Sequence, residues 1–450
     1  MDFRQQLVWF KRQNHLITVD QPVDSHLEAA EIVRRITSLH HPTPPALLFN
    51  ALSSPGSYSV IANLYASSEH LSALMMTAFG HNVATALEQL PEEVPGKVSL
   101  SAWLTEQGGF WSYGDTQTFA SHVRLKNLEA VPLLRYWPGD AGDYLSFALL
   151  ITRGMEGQLN VGIYRLQRCG TDELSVHFRA GSQAALLWDA YRRTGKKMPA
   201  AVVLGVPLSV VLSAVLPLPG EVDELSFAGW LQGETLMCAK SPEHSLPIPE
   251  CEFLLEGEID PQLMAKDGPH GNHSGYYTAS VACPVLKLTS LSARPDAICP
   301  VSVVGPPPTE SFTLARIAQD YYCWELRRRH PHVVKVRLLA NGVFQGAMVV
   351  QLRSLLDKSQ RDGLLADPLV QNSRLVVLVD ENVDEDDLSL LLWRGLNHVG
   401  LGRVYENRCG IVLDTTCLDG RDRLVSDTAI SECVMKRWSE LGLEQWGNGQ

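Results

Sequence analysis

Asp267-Gly-Pro-His-Gly-Asn-His-Ser-Gly-Tyr-Tyr277 sets three glycines, one proline, two histidines and two tyrosines into eleven consecutive residues. Helices do not tolerate that density of Gly and Pro, and no alternating apolar pattern marks a strand interior. The stretch reads as an ordered loop in which glycines let the backbone approach something closely and polar side chains carry chemistry. The plainer alternative is a rigid turn between strands. His270 and His273, three apart, would suit a metal, but no third ligand is evident beside them.

Working outward, a chain of 450 residues is long for one core and predicts two or three domains of roughly 150 residues each. Its hydrophobic content of 45% and charged content of 20% are those of a soluble globular protein. A net charge of -12 argues against nucleic acid or an anionic membrane as partner, but leaves room for a small anionic substrate held by a local cation. Met1-Asp-Phe-Arg4 runs straight into polar sequence and lacks the apolar core of a signal peptide. The apolar runs Ala200 to Val206 and Val210 to Leu218 are broken by Gly205 and Pro207, so no membrane span is expected. Nine cysteines without a Cys-x-x-Cys pair fit reduced thiols rather than a disulfide framework or zinc site. A cytoplasmic protein is expected.

Three regions follow from the pattern: an N-terminal α/β domain over 1–105, a barrel-type domain over 106–308 and a C-terminal α/β domain over 309–450. In the first, Ser25-His-Leu-Glu28 has the form of a capping box before Leu27, Ala30, Val33 and Ile36 on one helical face. Ala46 to Phe49 and Tyr58 to Ala62 read as buried strands, and Pro91 to Pro95 as a connector. The second region holds short strand-like runs at Val131–Tyr136, Leu145–Thr152, Val161–Gln167, Ser175–Phe178, Val202–Leu204, Cys251–Glu256 and Val285–Leu291. One helix interrupts them, capped at Ser182 and stopped at Gly195. Gly305-Pro-Pro-Pro308 marks the last boundary. Beyond it come a long helix ending at Arg329-His-Pro331, a hairpin about Asn341-Gly342, a buried strand at Arg374–Val379 and a helix through Leu388 to Trp393. Asp384 to Asp387 would favour that helix's dipole rather than hold a metal, and an amphipathic helix spans Ser426 to Leu443.

Two further sites stand out. In Asn160-Val-Gly-Ile-Tyr-Arg165, strand alternation points Asn160, Gly162 and Tyr164 one way and Val161, Ile163 and Arg165 the other. An arginine among aliphatic neighbours needs a carboxylate or phosphate partner, which a structural ion pair would also satisfy. Glu224 lies between the Pro217-Leu-Pro219 turn and Phe227-Ala-Gly229. No Walker loop, Gly-x-Ser-x-Gly elbow or dinucleotide glycine fingerprint is present.

These motifs, taken with Gly305-Pro-Pro-Pro308, Pro45-Ala-Leu-Leu-Phe49, Trp137-Pro138 and Thr152-Arg-Gly154, resemble the UbiD decarboxylase family in the right order over most of the chain. The resemblance implies an α/β (α+β) protein with an N-terminal α/β domain, a central split β-barrel that binds flavin, and a C-terminal α/β domain with a terminal helix that helps assemble homodimers or homohexamers. It implies prenylated FMN (or FMN) delivered by a prenyl-flavin synthase, a divalent cation such as manganese, and potassium at the phosphate. Asn160 and Glu224 would be the metal ligands, suited to a hard cation bridging to phosphate. Ile163, Tyr164, Arg165, His177 and Phe178 would line the flavin, with Arg165 also binding the substrate carboxylate and tied to Asp267. The implied reaction is non-oxidative (de)carboxylation of an aromatic or α,β-unsaturated carboxylic acid. In it the cofactor holds the electrons while the protein supplies orientation, charge pairing and one proton.

Three positions depart from the family pattern. Asn272 stands at the proton-donor position, and an amide is no acid. No histidine occupies Ala180-Gly-Ser-Gln183, where the metal histidine falls, although His177 is near. Cys409-Gly410 replaces a phosphate-binding lysine before Ile411. The proton is then expected from Asp267, His270, His273 or water. The alternative is a catalytically impaired or accessory relative that binds FMN or a protein partner.

Overall fold

Asp2 starts the first helix, α1 (Phe3–Arg12). Its carboxylate accepts from Gln5 N at 2.7 Å while the Gln5 side chain accepts from Asp2 N at 3.0 Å, which satisfies orphan donors of the first turn. Phe3, Leu7 and Phe10 bury the opposite face at helical spacing. The computed structural model describes residues 1–53, 58–91, 99–114, 119, 121–339, 342, 346–399, 401–416 and 427–444. Most of the Pro91 to Pro95 connector lies outside them.

The second helix, α2 (Glu28–Leu39), begins later than the Ser25 capping box predicts. Glu28 instead accepts from Asp24 N at 2.7 Å, and Asp24 accepts from His26 N at 2.8 Å. This closed turn draws the glutamate back one residue too far. Leu27 therefore precedes the helix at φ 75° with no side-chain cap. Strands β1 (Leu16–Val19), β2 (Ala46–Phe49) and β3 (Ser59–Ala62) and helix α3 (Ser68–Phe79) complete the N-terminal α/β unit.

Six strands close the central barrel: β4 (Tyr144–Arg153), β5 (Leu159–Arg168), β6 (Glu173–Val176), β7 (Met198–Leu204), β8 (Phe253–Asp267) and β9 (Val281–Ala293). They run in the order β8-β7-β4-β5-β6-β9, and β8 pairs antiparallel with β9 to close the ring. Ala148, Leu150, Leu166, Val176, Val202 and Leu255 share one apolar cluster inside it. Leu149, Ile151, Val161 and Val203 face the opposite way, into a cluster shared with α4 (Leu208–Val215) and α5 (Glu224–Gln232). Burial on both faces explains why these strands read as unbroken apolar runs instead of alternating ones.

Val131–Tyr136, expected as a strand, makes only isolated bridges, Leu134 to Tyr144 and Arg135 to His26. Pro132 cannot donate to a ladder, so Val131, Leu133, Leu134 and Tyr136 fill the barrel's apolar cluster from an irregular segment. The strand expected at Ser175–Phe178 stops at Val176, leaving His177 and Phe178 beyond its end. Strand β10 (Ile298–Val301) leaves the barrel and pairs parallel with β3, extending the first sheet to β1-β2-β3-β10.

Helix α6 (Glu310–Arg329) follows the Pro-rich turn. It buries Leu314, Ile317, Tyr321 and Leu326 in the same cluster as α1, the barrel's outer layer and the C-terminal sheet. That sheet contains β11 (Val333–Leu338), β12 (Ala347–Leu352), β13 (Leu375–Asp380), β14 (Val404–Glu406) and β15 (Ile411–Asp414), in the order β11-β12-β13-β15-β14. β11 and β12 form the expected antiparallel hairpin; Asn341 of its turn lies outside the described residues. Asp387 caps α7 (Leu388–Asn397) through Leu390 N at 2.9 Å, so the acidic run starts a helix as expected. The terminal helix α8 (Thr428–Lys436) is capped by Asp427 and buries no side chain; Ser426 lies outside the described residues. No helix among those described is long and apolar enough to cross a membrane.

Gly229 fixes how closely α5 approaches the backbone at Phe110. A Cβ there would lie 1.8 Å from the Phe110 carbonyl oxygen, which already accepts from Leu236 N at 2.8 Å. Gly363 in helix Lys358–Ala366 has nothing within 4 Å of its missing Cβ. Gly229→Ala should therefore destabilise by at least ~2 kcal/mol, while Gly363→Ala should stabilise by ~0.5–1 kcal/mol. Urea midpoints of the two variants, at unchanged m-value, check both.

Candidate active site

Asp267 is the last residue of β8, and its side chain is fully buried. Its Oδ1 pairs with the Arg165 guanidinium and its Oδ2 accepts from Ser175 Oγ at 2.9 Å. The next residue, Gly268, donates its N–H to Gln167 Oε1 at 2.8 Å; the same oxygen accepts from Tyr144 Oη at 2.8 Å. Residues from β4, β5, β6 and β8 thus converge at one end of the barrel wall. Register places them there: Gln167 pairs with Ser175, which pairs with Val285. Arg165, His177 and Cys283, each two residues from one of these, share that face.

Arg165 Nη2 also donates to His177 Nδ1 at 3.0 Å, and Cys283 Sγ lies 3.6 Å from the same nitrogen. Burial, followed by the charge of Arg165, lowers the His177 pKa. Burial pushes the Cys283 thiol up to about 11. At neutral pH the group is therefore a charged Arg165–Asp267 pair beside a neutral imidazole and a neutral thiol. His177, Asp267 and Cys283 are close enough to be considered as a metal triad. The guanidinium already occupies both Asp267 Oδ1 and His177 Nδ1, which leaves a cation the wrong neighbour.

A second cluster lies further along β5. Asn160 is buried opposite Thr152 on β4, and its Nδ2 lies 3.5 Å from Tyr164 Oη. The Tyr164 ring folds across Gly162, where a Cβ would meet it at 2.7 Å, and burial raises its phenol pKa. Phe178 stands edge-on to Tyr164 with centroids 5.6 Å apart, whereas Ile163 packs on the outer apolar cluster. Glu224 opens α5, and its Oε2 accepts from Val161 N at 3.1 Å. Burial pushes its carboxyl up to about 8, the signature of a carboxylate site lacking a cationic partner.

The rest of the glycine-rich loop makes contacts of its own. His270 is buried, with Nδ1 3.5 Å from Asp140 Oδ1 and its ring 4.4 Å from that of Tyr144. Gly271 donates to Asp140 Oδ1 at 2.8 Å, and a Cβ on it would strike the Trp137 ring at 2.3 Å. Asn272 Oδ1 accepts from Ser274 N at 2.8 Å and Ser274 Oγ at 2.5 Å. His273 Nδ1 lies 3.3 Å from Ser311 Oγ, and burial pushes its pKa down to about 4. Of the residues singled out from sequence, Arg165 and Asp267 meet in an ion pair, Asn160 lies beside Tyr164 on β5 and Glu224 accepts from the β5 backbone. Sequence reasoning did not single out Gln167, Ser175, Asp140 or Cys283, whose roles arise from cross-strand register and carry no local motif.

The departures also have places in the fold. Ser182 caps the helix Gln183–Thr194 through Ala185 N at 3.3 Å, so the stretch expected to carry a metal histidine starts a helix instead. Gly410 is wedged against Arg374, whose carbonyl oxygen lies 1.8 Å from the position of a Cβ.

Residues 7–94 match the family model of the 3-octaprenyl-4-hydroxybenzoate carboxy-lyase N-terminal domain, and residues 114–307 match that of its Rift-related domain. Together the two cover more than half of the chain. An uncharacterized protein of Aeropyrum pernix is 28% identical over 420 residues, covering 88% of this chain and 84% of that one. The UbiD-class enzyme HmfF of Pelotomaculum thermopropionicum, in an evolved dimeric form solved with prFMN, superposes with a TM-score of 0.78 at 22% identity over 96% of this chain and 98% of that one. The closed form of Sedimentibacter hydroxybenzoicus vanillic acid decarboxylase gives a TM-score of 0.82 at 22% identity, covering 99% of each chain.

Glu224 makes the cation question measurable. Its folded value of about 8 stands above the ordinary 4.5, so the folded protein holds a proton that the unfolded chain releases. This group's contribution makes stability fall as pH rises from about 4.5 to about 8. Glu224→Gln should flatten that decline in metal-free protein. At pH 8, Mn2+ should raise the Tm of the wild type and leave the variant's unchanged. Equal Mn2+ responses from the two proteins would count against a cation at this carboxylate.

Proposed function

The chain belongs to the UbiD family, and on that premise we propose that it is a non-oxidative (de)carboxylase of an aromatic or α,β-unsaturated carboxylic acid, working with prenylated FMN. The observation that carries the reading is Arg165. Its guanidinium is anchored by the buried Asp267 carboxylate, yet Nη1 has no partner among the described residues. Nε is likewise buried without an acceptor, so a guanidinium held at Nη2 keeps donor capacity that suits a substrate carboxylate. The Asp267 charge keeps the pair neutral, so the pocket does not grip a carboxylate too tightly to lose it.

The donor set supports a divalent cation such as manganese. Asn160 and Glu224 offer hard oxygen atoms, and the uncompensated Glu224 carboxylate favours a cation beside it. They would hold the ion, and Ile163, Tyr164, Arg165, His177 and Phe178 would line the flavin. When bound, prenylated FMN supplies the electron sink for the pair released as carbon dioxide leaves. This chain's own share is to orient the acid at Arg165, exclude water with the wall of apolar side chains around β5, and deliver a proton to the carbon. Asn272 cannot supply that proton, and its side chain already closes a turn on Ser274. Exposed apolar residues on α7 and α8, including Leu392, Trp393, Leu396 and Ile430, support assembly as a homo-oligomer.

A second reading has its own observations: the amide at Asn272 and the absence of a lysine at Cys409-Gly410 fit an accessory relative that binds ordinary FMN or a protein. Protein co-produced with a prenyl-flavin synthase distinguishes the two. The enzyme reading expects flavin absorbance and exchange of substrate-derived hydrogen for solvent deuterium across a panel of aryl and acrylic acids. Arg165→Lys should lower kcat/KM by ~100-fold or more, since a point charge cannot replace the fork. Absence of both flavin and exchange across the panel would sink the enzyme reading.

A further inference from the structure

With Asn272 unable to act as an acid, and with His270 and His273 turned towards Asp140 and Ser311, the proton needs another source beside Arg165. We propose that His177 delivers it from Nε2 and that the Cys283 thiol refills the imidazole through Nδ1, an assignment that rests on the carboxy-lyase reading above.

The geometry fixes the tautomer. Nδ1 faces the Arg165 Nη2 donor at 3.0 Å and the Cys283 thiol at 3.6 Å. Asp267 Oδ1 lies 3.7 Å from the same nitrogen, but the nearer guanidinium can only donate, so Nδ1 is the acceptor and the ring proton sits on Nε2. The side chain is 35% exposed, and the Nδ1 edge is enclosed by Arg165, Asp267 and Cys283. The open part of the ring is therefore the Nε2 side. No described residue engages Nε2. The ring that carries this N–H touches, through Nδ1, the arginine that would hold the departing carboxylate, so the acid and the carbon that needs the proton would share one side of the pocket.

The step balances without an oxidant. The Nε2–H bond breaks as the new C–H bond forms. The Cys283 S–H bond breaks as Nδ1 takes its proton, and the thiolate is left beside the Arg165 guanidinium. Water then protonates Nε2, and Nδ1 returns its proton to sulfur. One solvent proton is consumed for each carbon dioxide released. The charged and titratable groups facing the imidazole are Arg165 from β5, Asp267 from β8, His270 from the loop and Cys283 from β9. Arg165 and Asp267 cancel, so a neutral relay leaves the local charge unchanged until the proton moves.

Two measurements test this, one of them independent of turnover. Nitrogen-15 NMR of histidine-labelled, cofactor-free protein at neutral pH should show His177 protonated on Nε2, with the Nδ1 resonance moving in Cys283→Ala. A proton on Nδ1 overturns the relay. In holoenzyme loaded with prenylated FMN, His177→Gln should slow substrate hydrogen–deuterium exchange by ~100-fold or more while KM changes far less. Cys283→Ala should slow exchange less than His177→Gln does, and Cys283→Ser, which keeps a hydroxyl donor, should recover part of the loss. His177→Gln protein that exchanges at the wild-type rate overturns the proposal. Saturable Zn2+ binding that requires Cys283 would also overturn it, since the triad would then be a metal site. Wild-type holoenzyme that shows no exchange on any acid sinks the carboxy-lyase reading instead, while the tautomer result still reports on the hydrogen-bond geometry.

Discussion

The buried pair of Arg165 and Asp267 sets the terms for everything around it. A carboxylate with no solvent exposure is costly unless its oxygen atoms are fully engaged. Here one oxygen meets the guanidinium and the other the Ser175 hydroxyl. Those partners come from β5 and β6, while Asp267 comes from β8. The pair can therefore form only once the barrel ring is closed through the β8–β9 seam. The site is a consequence of closure, and the strand ends that carry it cannot shift without stranding a charge.

The same constraint explains the glycine-rich loop. Gly268 donates its N–H to the Gln167 side chain that Tyr144 also holds, and Gly271 lies flat against Trp137. The loop's small residues let its backbone close on the barrel end, and two of its polar side chains help hold that shape, Asn272 on Ser274 and His273 on Ser311, while His270 is buried 3.5 Å from Asp140. Only Asp267 turns inward to the arginine. Architecture and chemistry share the stretch, with the division falling just after its first residue.

Much of the fold was legible because burial leaves a mark in composition. β4 and β7 are apolar on both faces and stand out as unbroken runs, and α6 announces itself by spacing. Other features were not. The strand expected at Cys251–Glu256 runs on to Asp267 as β8; Glu258, Asp260, Gln262 and Lys266 hide that extension, because this stretch leaves the core where Leu263 and Met264 are exposed. Val131–Tyr136 shows the converse: apolar side chains at a barrel end look like a strand although Pro132 breaks the ladder. In the site, Asn160, Arg165, Glu224 and Asp267 sit in recognisable local patterns. Cys283 does not, since its place beside His177 depends on β9 pairing with β6 in one register, and a shift of one residue would turn the thiol to the other face.

Charge gives a physical reason why a donor other than a carboxylic acid suits this pocket. Arg165 and Asp267 together are neutral, so a bound substrate carboxylate brings the local charge to one negative. Another acid at position 272 would have to stay protonated beside that charge, in a loop with hydrogen bonds to keep it in place. The loop instead uses an amide there to accept from Ser274, a role that needs no titration. Burial and the Arg165 charge depress the pKa of the His177 imidazole, which opposes the pull of an added carboxylate toward imidazolium. Moving the acid from the loop to the barrel wall leaves the loop free to be rigid. In the proposed reaction it would also put the proton on the side of the pocket where Arg165 would hold the acid.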